Sequence, residues 1–309
     1  MKETFIATSG HKYVDIDAYA CICAYKELLQ LEKHNVEAVI SSTLNFSITQ
    51  KYKEISYFST DIHTVQEMDN MRYVIMDVSD PAHFEEFVDL DQVSYIFDHH
   101  YGFEEYWREK IGDNAVIEPL GAAATLIVRE YKKRELLDQI SSESAELLAA
   151  AIISNSLYFQ AEITKEEDHT AYEELQQYFK YTDDFAQKYF LEVQQSVEKD
   201  IMTALRDDGK SISEDLYISQ LEVWDADHTI TNLLDDILNH LKEQDEKDAF
   251  INIIDLGKNR NVIQCRDEKT LVWMQSIFPE WEYDTSRNQA ITDHVILRKE
   301  MLPRLINSN

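Results

Sequence analysis

The first half of the chain alternates short apolar runs with longer amphipathic stretches, and no other feature limits the fold as much. Residues 4–7, 36–40, 73–76, 93–97 and 115–117 have the length and composition of strands. Between them lie helical stretches such as residues 17–34 and the run "AAATLIVREYKKRELL" that follows Gly121. Apolar strands separated by helices imply a doubly wound α/β domain, a parallel sheet covered on both faces. The segment "SSESAELLAAAIISNSLYF" predicts a further buried helix, and Thr164-Lys165-Glu166-Glu167 reads as a capping box opening the next one.

The second half changes character. Residues 185–205 predict one long polar-faced helix, 217–223 a strand and 229–244 an amphipathic helix. "AFINIIDLGKNRNVIQC" reads as a hairpin turning at residues 257–261, and "RKEMLPRLI" as a final helix ending or kinking near Pro303. The expected organisation is an N-terminal domain over residues 1–190 and a smaller α/β domain, with its linker helix, over 191–309. The active site is expected in the cleft between them.

Composition narrows the partners. The 309 residues are long enough for two domains, and their formal net charge of -30 repels nucleic-acid phosphates within roughly 8 Å at physiological salt. Stable nucleic-acid binding is therefore not expected, and any phosphate site needs a metal or local Lys/Arg. Three cysteines build no disulfide framework and suit a reducing cytosol. Cys21-Ile22-Cys23 is too close-spaced for a Cys-x-x-Cys motif and reads as buried small side chains. "MKETFIATSGH" contains no secretory apolar core, and the longest purely apolar stretch, residues 147–153, is far short of the roughly 20 a membrane span requires. The expectation is a cytoplasmic protein with no membrane partner.

The acids and histidines fall in a pattern. The first strand runs into "TSGHKYVDID", with His11, Asp15 and Asp17 ahead of a helix; the third ends at Asp77 in "VIMDVSDP"; the fourth ends at Asp98-His99-His100. In an open parallel sheet the carboxyl ends of strands lie along one edge, where ligands bind. Each piece alone has an ordinary explanation, since Asp-x-Asp is usually a turn or cap and "DVSDP" is rich in turn formers. Three such pieces at strand ends point to a shared metal site. Mixed nitrogen and oxygen donors rich in carboxylate suit Mn²⁺ or Mg²⁺. Two such ions about 3.5–4 Å apart can activate water and neutralise a phosphoryl group.

With "GHKYVDID", "MDVSDP", "DHH" at 98–100 and "EPLGAAATLIV" at 118–128, the chain resembles the DHH phosphoesterase superfamily. "ILRKEMLPRL" is similar to the basic signature of the DHH-associated C-terminal domain of manganese-dependent (family II) inorganic pyrophosphatases and exopolyphosphatase-type proteins. The resemblance implies an N-terminal metal-binding catalytic domain and a C-terminal substrate-binding domain. By motif, His11 and Asp15 would hold one metal and Asp17 and His99 a second, with Asp77 bridging both. His100 would contact substrate or leaving group, Asp98 would orient the histidines, and Arg298 and Lys299 would bind phosphates. Gly121 would let the backbone approach a phosphate where the next helix begins. The implied cofactors are two divalent cations, Mn²⁺ first, with Mg²⁺ or Co²⁺ as alternatives, and relatives suggest a homodimer.

This sequence also departs from the family. Asn155 stands where "Ile-Ile-Ser" is followed by a metal-binding Asp, and an amide lacks the charge. Leu297 replaces the Ser before Arg-Lys, Met202 aligns with a further pyrophosphatase lysine, and "KYVDID" replaces Asn-Pro-Asp-Thr-Asp. The implied activity is metal-dependent cleavage of phosphoanhydride bonds in pyrophosphate or short polyphosphate, a small phosphorylated substrate. The alternatives are a phosphodiesterase of small nucleotides and a catalytically weakened phosphate- or nucleotide-binding regulator. The chain has only six glycines, none adjacent, so it lacks the glycine-rich loop of the phosphodiesterase relatives.

Overall fold

The computed structural model describes residues 3–55 and 70–306. The chain forms two compact units, Met1–Ala186 and Gln187–Asn309.

The first unit is built on five strands: β1 (Thr4–Thr8), β2 (Asn35–Ala38), β3 (Met71–Met76), β4 (Val93–Asp98) and β5 (Ala115–Ile117). Their order is β2-β1-β3-β4-β5, and every neighbouring pair is parallel. Alternation along the strands sends side chains to opposite faces. Ile6, Tyr73, Ile75 and Ile96 share one cluster with Trp107 of α2 (Glu104–Ile111), whose indole is fully buried and donates to the Ser79 carbonyl at 2.6 Å. On the other face, Tyr25 of α1 (Ile16–Leu31) packs on Phe97 and Tyr95, with ring centroids 5.0 and 6.2 Å apart. Helices thus cover both faces, and the expected doubly wound α/β domain is what forms.

Helix α1 in turn packs on α3 (Ala123–Lys133) and α4 (Ser142–Asn155), and α5 (Glu166–Leu175) closes the layer. A helix buried on nearly every side needs an apolar surface all round, which "IDAYACICAY" supplies. The expected capping box is displaced by one residue. Lys165, not Thr164, is the N-cap of α5, and Asp168 closes the box by accepting from the Lys165 backbone N–H at 2.8 Å.

The second unit is mixed α/β. The expected single helix over 185–205 is two, α6 (Phe185–Lys199) and α7 (Ile201–Asp208). Asp200 leaves helical backbone at φ -140° and caps α7 by accepting from the Thr203 N–H at 3.3 Å. The strands are β6 (Lys210–Ser213), β7 (Leu216–Val223), β8 (Asp248–Asp255), β9 (Arg260–Cys265), β10 (Glu282–Asp284) and β11 (Gln289–Ile291). They form a sheet of order β10-β11-β9-β8-β7-β6, in which β7 and β8 are parallel and the other pairs antiparallel. Helix α8 (Ala226–Lys242) makes the parallel crossover, and α9 (Glu268–Ile277) and α10 (Arg298–Ile306) pack on the core with Phe250, Ile263 and Cys265. The β8–β9 turn is tighter than expected, because Asn259 adopts φ 49° and Arg260 already pairs with Asp255. Helix α10 continues through Pro303, because Met301 and Leu305 on either side are buried in that core. Among the described residues, no helix is long and apolar enough to cross a membrane.

Candidate metal centre

Strands β1, β3 and β4 are neighbours, so the loops leaving their carboxyl ends share one edge of the first sheet. Asp77 follows β3 immediately. Its backbone has φ 57°, a left-handed conformation costly for any residue with a Cβ, and its N–H is tied to the Phe97 carbonyl at 2.7 Å. That turn buries the Asp77 side chain, only 7% exposed, beside the histidines of β4. Asp77 Oδ1 makes no hydrogen bond. It lies 3.4 Å from His99 Nε2 and 3.8 Å from His100 Nδ1, and these residues form a group able to hold a metal ion.

His99 is buried, and its Nδ1 sits 2.9 Å from the Leu120 carbonyl, which can only accept. The proton is therefore on Nδ1. Burial, helped by the charge on His100, lowers the His99 pKa, so Nε2 presents a lone pair. It faces Asp77 Oδ1 and, at 3.9 Å, Asp17 Oδ2. Nitrogen and oxygen ligand atoms converge here and Asp77 Oδ1 has no hydrogen-bond partner, an arrangement that a divalent cation fits.

Asp17 is fully buried, and its oxygens accept from the N–H groups of Ala123 and Ala124 at 2.7 and 2.8 Å. These donors open α3, whose own N-cap, Ala122, has no side chain to serve them. Asp17 therefore caps a helix distant in sequence while pointing at His99. Cys21 Sγ also approaches Asp17 Oδ1, at 3.6 Å. Burial, then the nearby Asp15 charge, pushes the Asp17 pKa up to about 7. Burial, then Asp17, Asp15 and Asp98, holds Asp77 well above the usual carboxylate range.

Asp15 is the N-cap of α1, accepting from the Asp17 and Ala18 N–H groups at 3.0 Å each. His11 is exposed, and its Nδ1 lies 2.9 Å from the His83 carbonyl, so its Nε2 is the nitrogen available to a ligand. Both lie outside the close group of Asp77, His99 and His100. His100 Nδ1 is held at 2.8 Å by Asp98 Oδ1, which raises the His100 pKa; its side chain is 63% exposed. Burial alone would raise Asp98, but the hydrogen bond and charge of His100 outweigh it and leave its pKa lowered. Asn155 is half-buried at the last position of α4.

Two of the expected residues have their polar groups engaged within the protein. Gly121 does not offer its N–H to a phosphate, because that N–H donates to Asp168 Oδ2 at 2.9 Å. A Cβ at Gly121 would meet that oxygen at 2.8 Å, so the glycine is needed for Asp168. In the second unit, Arg298 is not a free cation. Its guanidinium bonds Asp208 Oδ2 at 2.7 Å, the Asp208 carbonyl at 2.6 Å and the Ile218 carbonyl at 3.2 Å, and the side chain is 11% exposed. Lys299 is exposed, with no ion pair among the described residues. Sequence reasoning missed the carbonyls of Leu120 and His83, which leave no side-chain signal, and Asp168, which looks like an ordinary first-turn acid.

No family model matches the chain. Among curated proteins, it is 30% identical over 175 residues to a protein of Listeria welshimeri, covering 54% of this chain and 53% of that one. It is 31% identical over 183 residues to a protein of Bacillus cereus, with 54% and 53% covered. Both are assigned as manganese-dependent inorganic pyrophosphatases. The chain spans about half the length of the curated relatives it matches. A solved structure from Methanococcus jannaschii, assigned as a family II inorganic pyrophosphatase, aligns with TM-score 0.60 at 17% identity, over 98% of this chain and 99% of that one. The chain is similar to the DHH-type pyrophosphatases and exopolyphosphatase-like proteins. An exopolyphosphatase-related protein from Bacteroides fragilis aligns with TM-score 0.53 at 12% identity, over 99% and 91% of the two chains. At these identities the solved structures establish the fold, which is that of the family II pyrophosphatases.

Proposed function

We propose that the protein is a metal-dependent phosphohydrolase cleaving the phosphoanhydride bond of pyrophosphate or short polyphosphate. The observation that carries this reading is the convergence of Asp77 Oδ1, which has no hydrogen-bond partner, and Asp17 Oδ2 on His99 Nε2 at one edge of the sheet. His11 and Asp15 complete one ligand set, Asp17 and His99 another, and Asp77 serves both, with Asn155 beside the second. Two divalent cations, Mn²⁺ first among them as in the names of the relatives, supply Lewis acidity and charge neutralisation when bound. His100, exposed and with its pKa raised by Asp98, donates to a phosphoryl or leaving-group oxygen. With Arg298 committed to Asp208, Lys299 is the remaining cation of the expected basic pair.

A second reading rests on a separate observation. Tyr13 and Tyr101, 61% and 70% exposed, lie within two residues of His11 and His100. Exposed aromatic rings beside such a site suit stacking on a nucleobase, which favours a small nucleotide as the alternative substrate. Phosphate release from pyrophosphate, tripolyphosphate and a dinucleotide, with Mn²⁺, Mg²⁺ or Co²⁺ added, decides. Metal-dependent release from the first two supports the proposal, and release from the dinucleotide alone transfers it to the second reading. Metal binding without release from any of them leaves a binding protein and overturns both.

A further inference from the structure

The His99 Nδ1–H donates to Leu120 C=O at 2.9 Å, and the Gly121 N–H donates to Asp168 Oδ2 at 2.9 Å. These two groups belong to one peptide, which is planar and rigid. His99 and Asp168 therefore grip the same plate from opposite sides. We infer that Asp168 is a positioning residue for the metal centre, acting on His99 through the Leu120–Gly121 peptide. The inference rests on the reading of His99 as a ligand given above.

A local capping role for Asp168 would require only the Lys165 N–H. Its other donors come from the loop and helix that face the site: the Gly121 N–H and, at 2.6 Å, the Thr125 hydroxyl. Three donors on a carboxylate with no exposed surface make Asp168 a fixed acceptor. Two consequences follow for His99. The peptide cannot rotate, so the Leu120 carbonyl stays aimed at Nδ1 and Nε2 stays aimed at Asp77. A negative charge at one end of a hydrogen-bonded chain also polarises the peptide, making its carbonyl the stronger acceptor and Nε2 the stronger donor to a metal. Metal-ligating histidines commonly meet a carboxylate directly, and here one peptide intervenes. The same loop carries Ala123 and Ala124, so fixing it also fixes the donors that hold Asp17.

The test compares Asp168→Ala and Asp168→Asn with wild type by calorimetric Mn²⁺ titration and by ¹⁵N NMR of the His99 ring in metal-free protein. Asn can still accept from both backbone N–H groups, so it should retain most of the affinity. Ala should lose about 10–100-fold, the usual effect of removing a supporting residue, and should mix the His99 tautomers. Leu175→Ala, also on α5 and fully buried, controls for destabilisation and should change neither readout. If Asp168→Ala does not fold, Thr125→Val replaces it, with a several-fold loss expected and Thr125→Ser as its rescue. Wild-type affinity together with an unchanged His99 tautomer, in whichever folded variant is used, would overturn the inference. A wild-type protein that binds no Mn²⁺ defeats the metal reading instead, and the tautomer measurement still tests the relay.

Discussion

Each unit gathers side chains tightly enough to hold a metal ion, but only one unit pairs its acids with lysine and arginine. In the second unit Asp225, Asp227 and Asp255 converge. Lys258 Nζ lies among them at 3.2, 2.7 and 3.8 Å, and Arg260 reaches Asp227 and Asp255 at 2.7 and 3.2 Å. In the first unit Asp15, Asp17 and Asp77 crowd together with no lysine or arginine paired to them among the described residues. Their nitrogen neighbours are histidines, and His99 is held neutral. Proximity of carboxylates therefore does not distinguish the clusters. The distinction is whether lysine or arginine already neutralises them, and the group without such pairs is the one we propose receives a cation.

The largest effect should come from removing the centre of the uncompensated group. Asp77→Ala should abolish metal-dependent phosphate release, exceeding the roughly 10–100-fold expected for a supporting residue, while circular dichroism shows a folded chain. Ala at φ 57° keeps the strained backbone, so a modest loss of stability is expected beside the loss of activity. Near wild-type turnover in that folded variant would remove Asp77 from the centre and dissolve the contrast between the units.

The second effect separates the basic pair. Lys299→Ala should raise KM about 10–100-fold, since a charge-assisted hydrogen bond is worth roughly 1.5–3 kcal/mol, with Mn²⁺ affinity unchanged. Arg298→Ala should behave like a lesion in the compensated unit, costing about 1–3 kcal/mol of stability because Asp208 loses its partner. Steady-state kinetics and denaturant melts on both variants check this. A KM change confined to Arg298→Ala would mean that its ion pair opens to substrate.

Charge compensation also fixes the sign of a pH dependence. Asp17 is raised from 3.8 to about 7 and Asp77 is also held well above its ordinary value, so the metal-free folded state holds protons that the unfolded chain releases. The stability linked to those protons is complete below about pH 4 and is lost as pH rises through about 7. Thermal melts in EDTA should therefore fall across that window. With Mn²⁺ replacing the protons, the fall should shrink or reverse. Identical pH profiles with and without Mn²⁺ would show that these acids do not bind it.

Much of this was legible in the sequence, for physical reasons. Strand and helix periodicity is local, so β1 to β5 and the delivery of Asp17, Asp77 and His99 to one edge follow from pattern and topology. The capping roles of Asp200 and Asp168 were not legible because a cap depends on which backbone N–H its side chain reaches, and composition does not specify that. The partners of Gly121 and Arg298, Asp168 and Asp208, were not legible because they are distant in sequence. A motif fixes residue identity but not whether its hydrogen bonds are already taken.

The smallest effect concerns Asn155, where the resemblance led to the expectation of a metal-binding Asp. Asn155 closes α4 and is followed by Leu157, Tyr158 and Phe159, all left-handed at φ 51, 55 and 64°. Successive left-handed non-glycine residues are costly, so the turn after Asn155 is held in place by its surroundings rather than by local preference. A side chain at that position would therefore be well fixed. If it faces the second metal, Asn155→Asp should tighten that metal several-fold, because a carboxylate is the better ligand for a hard divalent cation. The metal held by His11, Asp15 and Asp77 should change less. In the metal-free protein the same substitution adds a fourth acid to an already crowded group, so stability in EDTA should fall while stability in Mn²⁺ rises. Calorimetric titration of both forms, paired with melts in each condition, reads the two effects separately. Coincident titrations and melts would place Asn155 outside the metal's reach and leave the uncompensated group with the acids it already has.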